Sequence, residues 1–236
     1  MISAEKLKEI KKLGIEIDHK QAFGGKSHGN QHLFRAVNIA KYLSEKIECK
    51  SDIVEASAWL HDTALPSGDD YNYENNRKII EKILGEINIS SENKSQIAEC
   101  VASHEGTKKP ESIEAQIVHD ADVLEKVGIL GLIRHTWKMT NHTLIDPENI
   151  KIADVEKIIE HINWRVSILN TDEAKNLAEK LHIDLIVENT LDLVSKISKL
   201  AKQSVITENI AIAIADDLTK NQKKLLKLQL NQDYLN

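Results

Sequence analysis

The scarcity of helix-breaking residues is the sequence feature that most constrains this chain. Only 3 prolines and 9 glycines are spread over 236 residues, so long helices can run without interruption. Between the breaks, apolar residues recur at steps of three and four, as they do from Leu33 to Ile47. That spacing is typical of one face of a helix, and we find no strand-like alternation of useful length. The sequence therefore predicts an all-α protein.

Breaks in the apolar pattern predict the individual helices. A first helix over 4–13 should end at Gly14, and a second should span 31–48. Ser51 is expected to be the N-cap of a third helix, which ends at His61-Asp62. The remaining helical segments are predicted at 74–87, at 92–103, at 113–131, from an Asn170 N-cap to about 200, and at 206–230.

Composition limits the classes of function. Hydrophobic residues make up 41% and charged residues 29% of the chain, as in ordinary globular proteins. The net charge of −6 argues against a nucleic-acid partner, which would need a basic surface. Cys49 and Cys100 lack CxxC spacing and are expected to be buried, reduced thiols. With no secretory signal and no apolar run long enough to span a bilayer, we expect a cytoplasmic protein without a membrane partner.

Four residues with metal-binding side chains lie in otherwise apolar helical segments. They are His32, the adjacent His61 and Asp62, and Asp122. Neutral imidazoles and carboxylates bind divalent metal ions, and a cation would offset the burial of the carboxylates. The His-Asp dipeptide alone is a weak signal, because a second copy occurs at 119–120. The alternatives are that each histidine is a core residue bonded to a neighbour, or that this helical protein holds no metal.

The order and context of these residues resemble the HD-domain metal-dependent phosphohydrolases. The similarity lies in HLFRAVNIA from His32, AWLHD up to Asp62, and IVHDADVLEKVG around Asp122. Like the small bacterial and archaeal branch of that family, the chain also has ASHEG at 102–106 and TDEAKNLAEKLH at 171–182. The resemblance spans roughly 30–198.

This resemblance implies a domain organisation and a chemistry. It implies an HD-type helical bundle over 1–200, with a catalytic core at roughly 20–140. A C-terminal helical extension over 201–236 is expected to pack on the same domain. One divalent ion (Mn, Fe, Co, Ni, Zn or Mg) would activate a water molecule to hydrolyse a nucleotide or another small phosphate ester or anhydride. By matching position, the implied metal ligands are His32, His61, Asp62 and Asp122.

Other residues are candidates for roles beside the metal. Asp62 would also orient the attacking water. Arg35, one turn beyond His32, is expected to bind phosphate through its guanidinium group; the alternative is a solvent-facing or carboxylate-paired arginine. His104 is expected to bind phosphate, act as general acid or hold a second metal, or else to cap its own helix. Asp120 is expected to cap the following helix, with a ligand role as the alternative.

Two features leave specificity and partners open. The chain departs from the family pattern at Thr63-Ala64-Leu65-Pro66, which follows the His-Asp pair. His28, in a glycine-rich loop at 23–30, is a weaker candidate for substrate contact. A non-catalytic, metal-stabilised nucleotide-sensing or interaction module is the alternative function. The amphipathic segment at 206–230 could then build a homodimer or bind a partner, although simple packing on the parent domain is the favoured explanation.

Overall fold

The computed structural model is helical throughout the residues that it describes, which are 1–22, 31–106, 108–203 and 207–236. Helix accounts for 71% of it, and no strand occurs in these ranges. The all-α prediction is therefore confirmed. The chain forms two compact units, Met1–Asp122 and Val123–Asn236. His28 and its glycine-rich loop lie outside the described residues, and the predicted boundary near residue 200 stays a prediction.

The first unit is built around one helix that is buried on nearly all sides. Its helices are α1 (Ala4–Lys20), α2 (His32–Lys46), α3 (Ser51–Leu60), α4 (Tyr73–Gly85), α5 (Ser91–Ala102) and α6 (Ile113–Leu124). The central helix is α3, where every residue from Ala56 to Leu60 is buried. A helix that is apolar all round belongs inside a bundle. Accordingly α1, α2 and α5 all pack against α3, and α4 packs against α5.

The first helix is longer than the sequence pattern predicts. It runs through Gly14 to Lys20, so the prediction that Gly14 ends this helix is wrong. A Cβ atom at Gly14 would lie 3.0 Å from the carbonyl carbon of Trp59 and would collide with its oxygen. Ile10 and Ile17, on the same side of α1, are buried. The glycine therefore permits close packing of α1 against α3 and does not terminate the helix.

The second unit is arranged around its own central helix. Its helices are α7 (Gly128–Asn141), α8 (Ile152–Ser167), α9 (Asp172–Lys180), α10 (Val187–Ala201), α11 (Thr207–Ala213) and α12 (Lys220–Asn231). Helices α8, α10, α11 and α12 pack against α7. Gln229 of α12 secures the start of α7, because its Oε1 accepts from the backbone N–H of Leu130 (3.0 Å) and its Nε2 donates to the carbonyl of Val127 (2.9 Å). The predicted homodimer stays a prediction.

Several helix ends differ from the predicted ones by local chemistry. Ser51 is the first residue of α3, and Lys50 occupies the N-cap. Thr171, not Asn170, caps α9, since its Oγ1 accepts from the backbone N–H of Ala174 (3.3 Å). The three long segments predicted at 113–131, from 170 to 200 and at 206–230 are each divided into two helices. Turns between apolar stretches of the same phase are hard to detect from periodicity alone.

The thiol prediction holds in part. Both cysteines are free; Cys100 is buried, whereas Cys49 is partly exposed. Burial raises the pKa of the Cys100 thiol to about 12, so this thiol is protonated and unreactive in the folded protein. Within the described ranges, no helix has both the length and the apolar character needed to cross a membrane.

Candidate metal centre

The structure brings all four predicted metal-binding residues together in the first unit. His32 is the first residue of α2, His61 is the C-cap of α3 with Asp62 directly after it, and Asp122 lies in α6. His32, His61 and Asp122 are buried, whereas the side chain of Asp62 is 16% exposed. Residues far apart in the sequence therefore meet because the ends of two helices and the body of a third converge.

The distances between the donor atoms suit a single ion. Nε2 of His32 lies 3.3 Å from Nε2 of His61, 3.4 Å from Oδ2 of Asp62 and 3.3 Å from Oδ1 of Asp122. Nε2 of His61 lies 3.3 Å from Oδ2 of Asp62 and 3.9 Å from Oδ1 of Asp122. Nitrogen and oxygen ligands bound at about 2.0–2.2 Å to one ion are separated by roughly 3–3.5 Å. His32, His61 and Asp122 form a buried cluster that can hold a metal ion, and Asp62 stands beside it.

The ring of His61 is oriented by the helix that carries it. Its Nδ1–H donates to the carbonyl oxygen of Ala58 (2.8 Å), one turn back along α3. A carbonyl oxygen only accepts, so Nδ1 carries the proton and Nε2 of the neutral ring keeps its lone pair. Metal-binding histidines commonly have this second hydrogen bond, which fixes the tautomer and the ring plane.

Electrostatic interactions in the site favour a positive charge between the carboxylates. Burial alone would lower the pKa of His61, but the charges of Asp62 and Asp122 outweigh burial and raise it. Burial would raise the pKa of Asp62, yet His61 and His32 hold that pKa well below its usual range. Both directions have the same cause, because an opposite charge nearby favours the ionised form. Either a proton on His61 or a bound cation supplies this positive charge.

His104 joins the same cluster from the end of α5. The side chain is 1% exposed, and its Nδ1–H donates to the carbonyl oxygen of Val101 (2.7 Å). Its Nε2 lies 3.8 Å from Oδ1 of Asp62 and has no hydrogen-bond partner within the described residues. Burial and the charge of His61 lower the pKa of His104, so the ring is neutral. His104 therefore caps its helix with one nitrogen and presents an unprotonated nitrogen to the site with the other.

The turn after His104 depends on a glycine. Gly106 has a φ of 89°, which a residue with a side chain rarely adopts. A Cβ atom there would also lie 3.2 Å from the carbonyl carbon of Tyr71 and collide with its oxygen. The glycine of the ASHEG segment thus lets the chain turn sharply and pack against the loop that follows the His-Asp pair.

The structure decides between some of the alternatives for Arg35 and Asp120. Arg35 is 3% exposed, so a solvent-facing arginine is excluded. Asp120 lies inside α6, which continues to Leu124, so the prediction that it caps the following helix is wrong. Its Oδ1 accepts from Nδ1–H of His119 (3.0 Å). Among the described residues, the metal-holding cluster contains Asp122 and not Asp120.

One carboxylate near the centre escaped the sequence analysis. Asp18 lies in the last turn of α1, and its side chain is 11% exposed. Burial and the charge of Asp62 raise the pKa of Asp18, while His32 and His61 act in the opposite direction. These influences place Asp18 within electrostatic reach of Asp62, His32 and His61. The sequence analysis missed this residue because it ended the first helix at Gly14 and left Asp18 outside any helix.

Comparison with known proteins identifies the segment that holds the centre. Residues 30–126 match the sequence model of the HD domain family. Over these residues the chain resembles an HD domain. The matched segment includes His32, His61, Asp62, His104 and Asp122, so the resemblance seen in the sequence motifs is confirmed.

Proteins similar to this chain share its fold, and one of them is an HD-superfamily hydrolase. The chain is 25% identical over 163 residues to YpgQ of Bacillus subtilis. This match covers 66% of this chain and 78% of YpgQ. The crystal structure of YpgQ superposes with a TM-score of 0.57 at 19% identity, covering 84% of this chain and 95% of that one. An HD-superfamily hydrolase from Bacillus thuringiensis gives a TM-score of 0.57 at 25% identity, covering 75% and 89%. A further YpgQ structure is a complex with ADP.

Proposed function

We propose that this protein is a metal-dependent phosphohydrolase acting on a nucleotide or another small phosphate ester or anhydride. The observation that carries the proposal is the convergence of two imidazoles and two carboxylates, whose donor atoms are 3.3–3.9 Å apart. Similarity to an HD-superfamily hydrolase supports a hydrolytic reaction. The ADP complex of YpgQ supports a nucleotide as the substrate class.

His32, His61, Asp62 and Asp122 would hold one divalent ion. Their mixed nitrogen and oxygen donors suit Mn²⁺, Fe²⁺, Co²⁺, Ni²⁺ or Zn²⁺, and also admit Mg²⁺. When bound, the ion supplies Lewis-acid polarisation of the phosphoryl group and lowers the pKa of water. The chain's own contribution is to orient the ring of His61 through the Ala58 carbonyl and to hold the carboxyl group of Asp62 in its ionised form.

Asp62 and His104 would orient the attacking water. Oδ1 of Asp62 and Nε2 of His104 are 3.8 Å apart, which is too long for a direct hydrogen bond. Both atoms are acceptors, since the pKa of Asp62 is held low and His104 is neutral with its proton on Nδ1. One water molecule can donate to both. His104 would therefore accept a proton from the nucleophile, which fits its state better than the general-acid role considered from the sequence.

Arg35 would bind the phosphate group. It lies one turn after His32 on α2, and its guanidinium group is positively charged at all relevant pH values. Its burial makes a charge–charge interaction stronger than it would be in water. A developing negative charge on a phosphoryl oxygen needs such a donor.

The test is a hydrolysis screen with metal-stripped protein. Nucleotides and small phosphate esters are offered with Mn²⁺, Co²⁺, Ni²⁺, Zn²⁺ or Mg²⁺, and phosphate or pyrophosphate release is measured. The variant Asp62→Ala is compared with Asp69→Ala, which makes the same change at an exposed position of the next loop. We expect metal-dependent turnover in the wild type and in Asp69→Ala, and none in Asp62→Ala.

Metal binding measured on the same proteins separates the alternatives. Asp62→Ala should lose metal binding while its circular dichroism spectrum stays helical. Turnover and stoichiometric metal retained by Asp62→Ala would refute the site. Metal bound by the wild type without turnover of any phosphate compound would refute the enzyme and favour a nucleotide-sensing or interaction module.

A further inference from the structure

We propose that Asp18 of α1 is a further carboxylate of the metal centre, which strengthens divalent-cation binding from outside the set of four ligands. This inference rests on the proposed metal-dependent function and adds a residue to it. Asp18 precedes the segment that matches the HD domain family, which begins at residue 30. The N-terminal helix would therefore contribute to metal binding as well as to packing.

The body of α1 lies directly against the end of α3. Gly14 approaches the carbonyl group of Trp59 so closely that no Cβ atom fits between them. The Nζ of Lys11 lies 4.7 Å from the centre of the Trp59 ring. Trp59 is followed two residues later by His61, so α1 packs against the turn that presents the His-Asp pair.

The last turn of α1 lies against the start of α2. The ring of His19 is 6.4 Å from the ring of Phe34, measured between centroids. Phe34 follows His32 by two residues and meets Trp59 edge-on at 5.6 Å. The end of α1 is thus next to residues that adjoin both metal-binding histidines.

Asp18 lies on the side of α1 that faces this junction. It is one turn beyond Gly14, and residues four apart share a face of a helix. Its side chain is 11% exposed. The raised pKa of Asp18 reflects its burial and the like charge of Asp62, and His32 and His61 act against that rise.

This placement predicts an effect on the bound ion. With a divalent cation bound, the charge of Asp18 is attracted to the centre, so removing that charge should weaken binding of the ion. A carboxylate with a purely structural role would leave the affinity of the folded protein for the ion unchanged.

The experiment compares two neutral substitutions on one helix. Asp18→Asn removes the buried charge, and Glu16→Gln removes an exposed one, since Glu16 is 46% exposed and pairs with Lys20 at 2.6 Å. Mn²⁺ affinity is measured by competition with a chelating dye, and melting temperature is measured with and without Mn²⁺. Neither readout needs a substrate.

We expect Asp18→Asn to bind Mn²⁺ about tenfold more weakly, the lower end of the range for carboxylates that support metal ligands. Its stoichiometry should be unchanged, and Mn²⁺ should raise its melting temperature by less than it raises that of the wild type. Asp18→Glu should recover part of the affinity. Glu16→Gln should stay within about twofold of the wild type, because exposed charges are screened by solvent.

Three results would overturn the inference. They are wild-type Mn²⁺ affinity in Asp18→Asn, an equal loss in Glu16→Gln, and an equal Mn²⁺-induced rise in melting temperature for Asp18→Asn and the wild type. The outcome is separable from that of the proposed function. A wild-type protein that binds Mn²⁺ but hydrolyses nothing would refute the enzyme and leave the Asp18 comparison valid, whereas an active protein with an unaffected Asp18→Asn would refute only the role of Asp18.

Discussion

The close approach of α1 to α3 can be tested with one methyl group. Replacing Gly14 by alanine adds a Cβ atom 3.0 Å from the carbonyl carbon of Trp59 and nearer still to its oxygen. Non-bonded heavy atoms need about 3.5 Å, so the two helices would have to separate by roughly 1 Å. The obstacle is backbone, which cannot rotate away as a side chain can.

The magnitude follows from two opposing effects. Overpacking a buried contact generally destabilises a protein by about 1–3 kcal/mol, and here it would also loosen the buried Ile10 and Ile17. Alanine in place of glycine favours the helix by about 1 kcal/mol. Neither the added Cβ atom nor the backbone of Trp59 can rotate away. We therefore expect the cost of overpacking to exceed the gain in helix propensity. Gly14→Ala should therefore lower the free energy of unfolding by about 1–2 kcal/mol.

The matched control is Gly85→Ala. Gly85 is the last residue of α4, is exposed, and has no atom within 4 Å of an added Cβ. This change should leave stability unaltered or raise it by up to about 1 kcal/mol. Urea unfolding followed by circular dichroism measures both variants. If Gly14→Ala proved as stable as Gly85→Ala, the close packing of α1 on α3, and with it the placement of Asp18, would be wrong.

Three further predictions concern pH and the second unit. Mn²⁺ affinity should fall as pH drops through the raised pKa of His61, because the proton competes for Nε2, and dye competition from about pH 8 to about pH 5 measures this. In metal-free protein, the raised pKa of His61 contributes stability at low pH that is lost as pH rises through it, so melting temperature should decline there unless Mn²⁺ is added. Gln229→Ala should cost about 1–3 kcal/mol in urea unfolding by leaving the Leu130 N–H and the Val127 carbonyl unpaired. The exposed Gln203→Ala should have no effect, and equal stability of the two variants would contradict the role of Gln229.

The sequence predicted the fold class and the metal cluster for different reasons. Helices are detectable because buried residues such as Leu33 and Leu43 recur with the helical period. The cluster was detectable because His32, the His-Asp pair and Asp122 each stand in a short motif of a known family. Neither signal depends on knowing how the helices pack. The predictions were incomplete where helix ends and residue contacts depend on how the helices pack.

Gly14 shows why local rules failed at the first helix. Glycine after an apolar stretch often ends a helix, and nothing in the local sequence shows that Trp59 will lie against it. Only the packed structure shows that α1 continues to Lys20. The same limitation affected Asp120, whose identity as a helix cap or an internal residue depends on where α6 ends.

His104 shows that two interpretations of one residue need not exclude each other. From the sequence, a histidine at a helix end either caps the helix or serves the site. Its two ring nitrogens divide these tasks, with Nδ1 bonded to Val101 and Nε2 facing Asp62. The bond to Val101 also fixes the tautomer that leaves Nε2 unprotonated. The structural role is therefore what makes the functional role available.

Opposite charges in the first unit give the proposed reaction an order. Asp62, Asp122 and Asp18 favour a cation, whereas the buried guanidinium group of Arg35, one turn from His32, favours an anion. Both attractions are stronger in a buried site than they would be in water. A divalent ion should therefore strengthen the binding of a phosphate group, and by thermodynamic reciprocity the phosphate group should strengthen the binding of the ion by the same factor. Measuring Mn²⁺ affinity with and without inorganic phosphate tests this coupling, and equal affinities would contradict it.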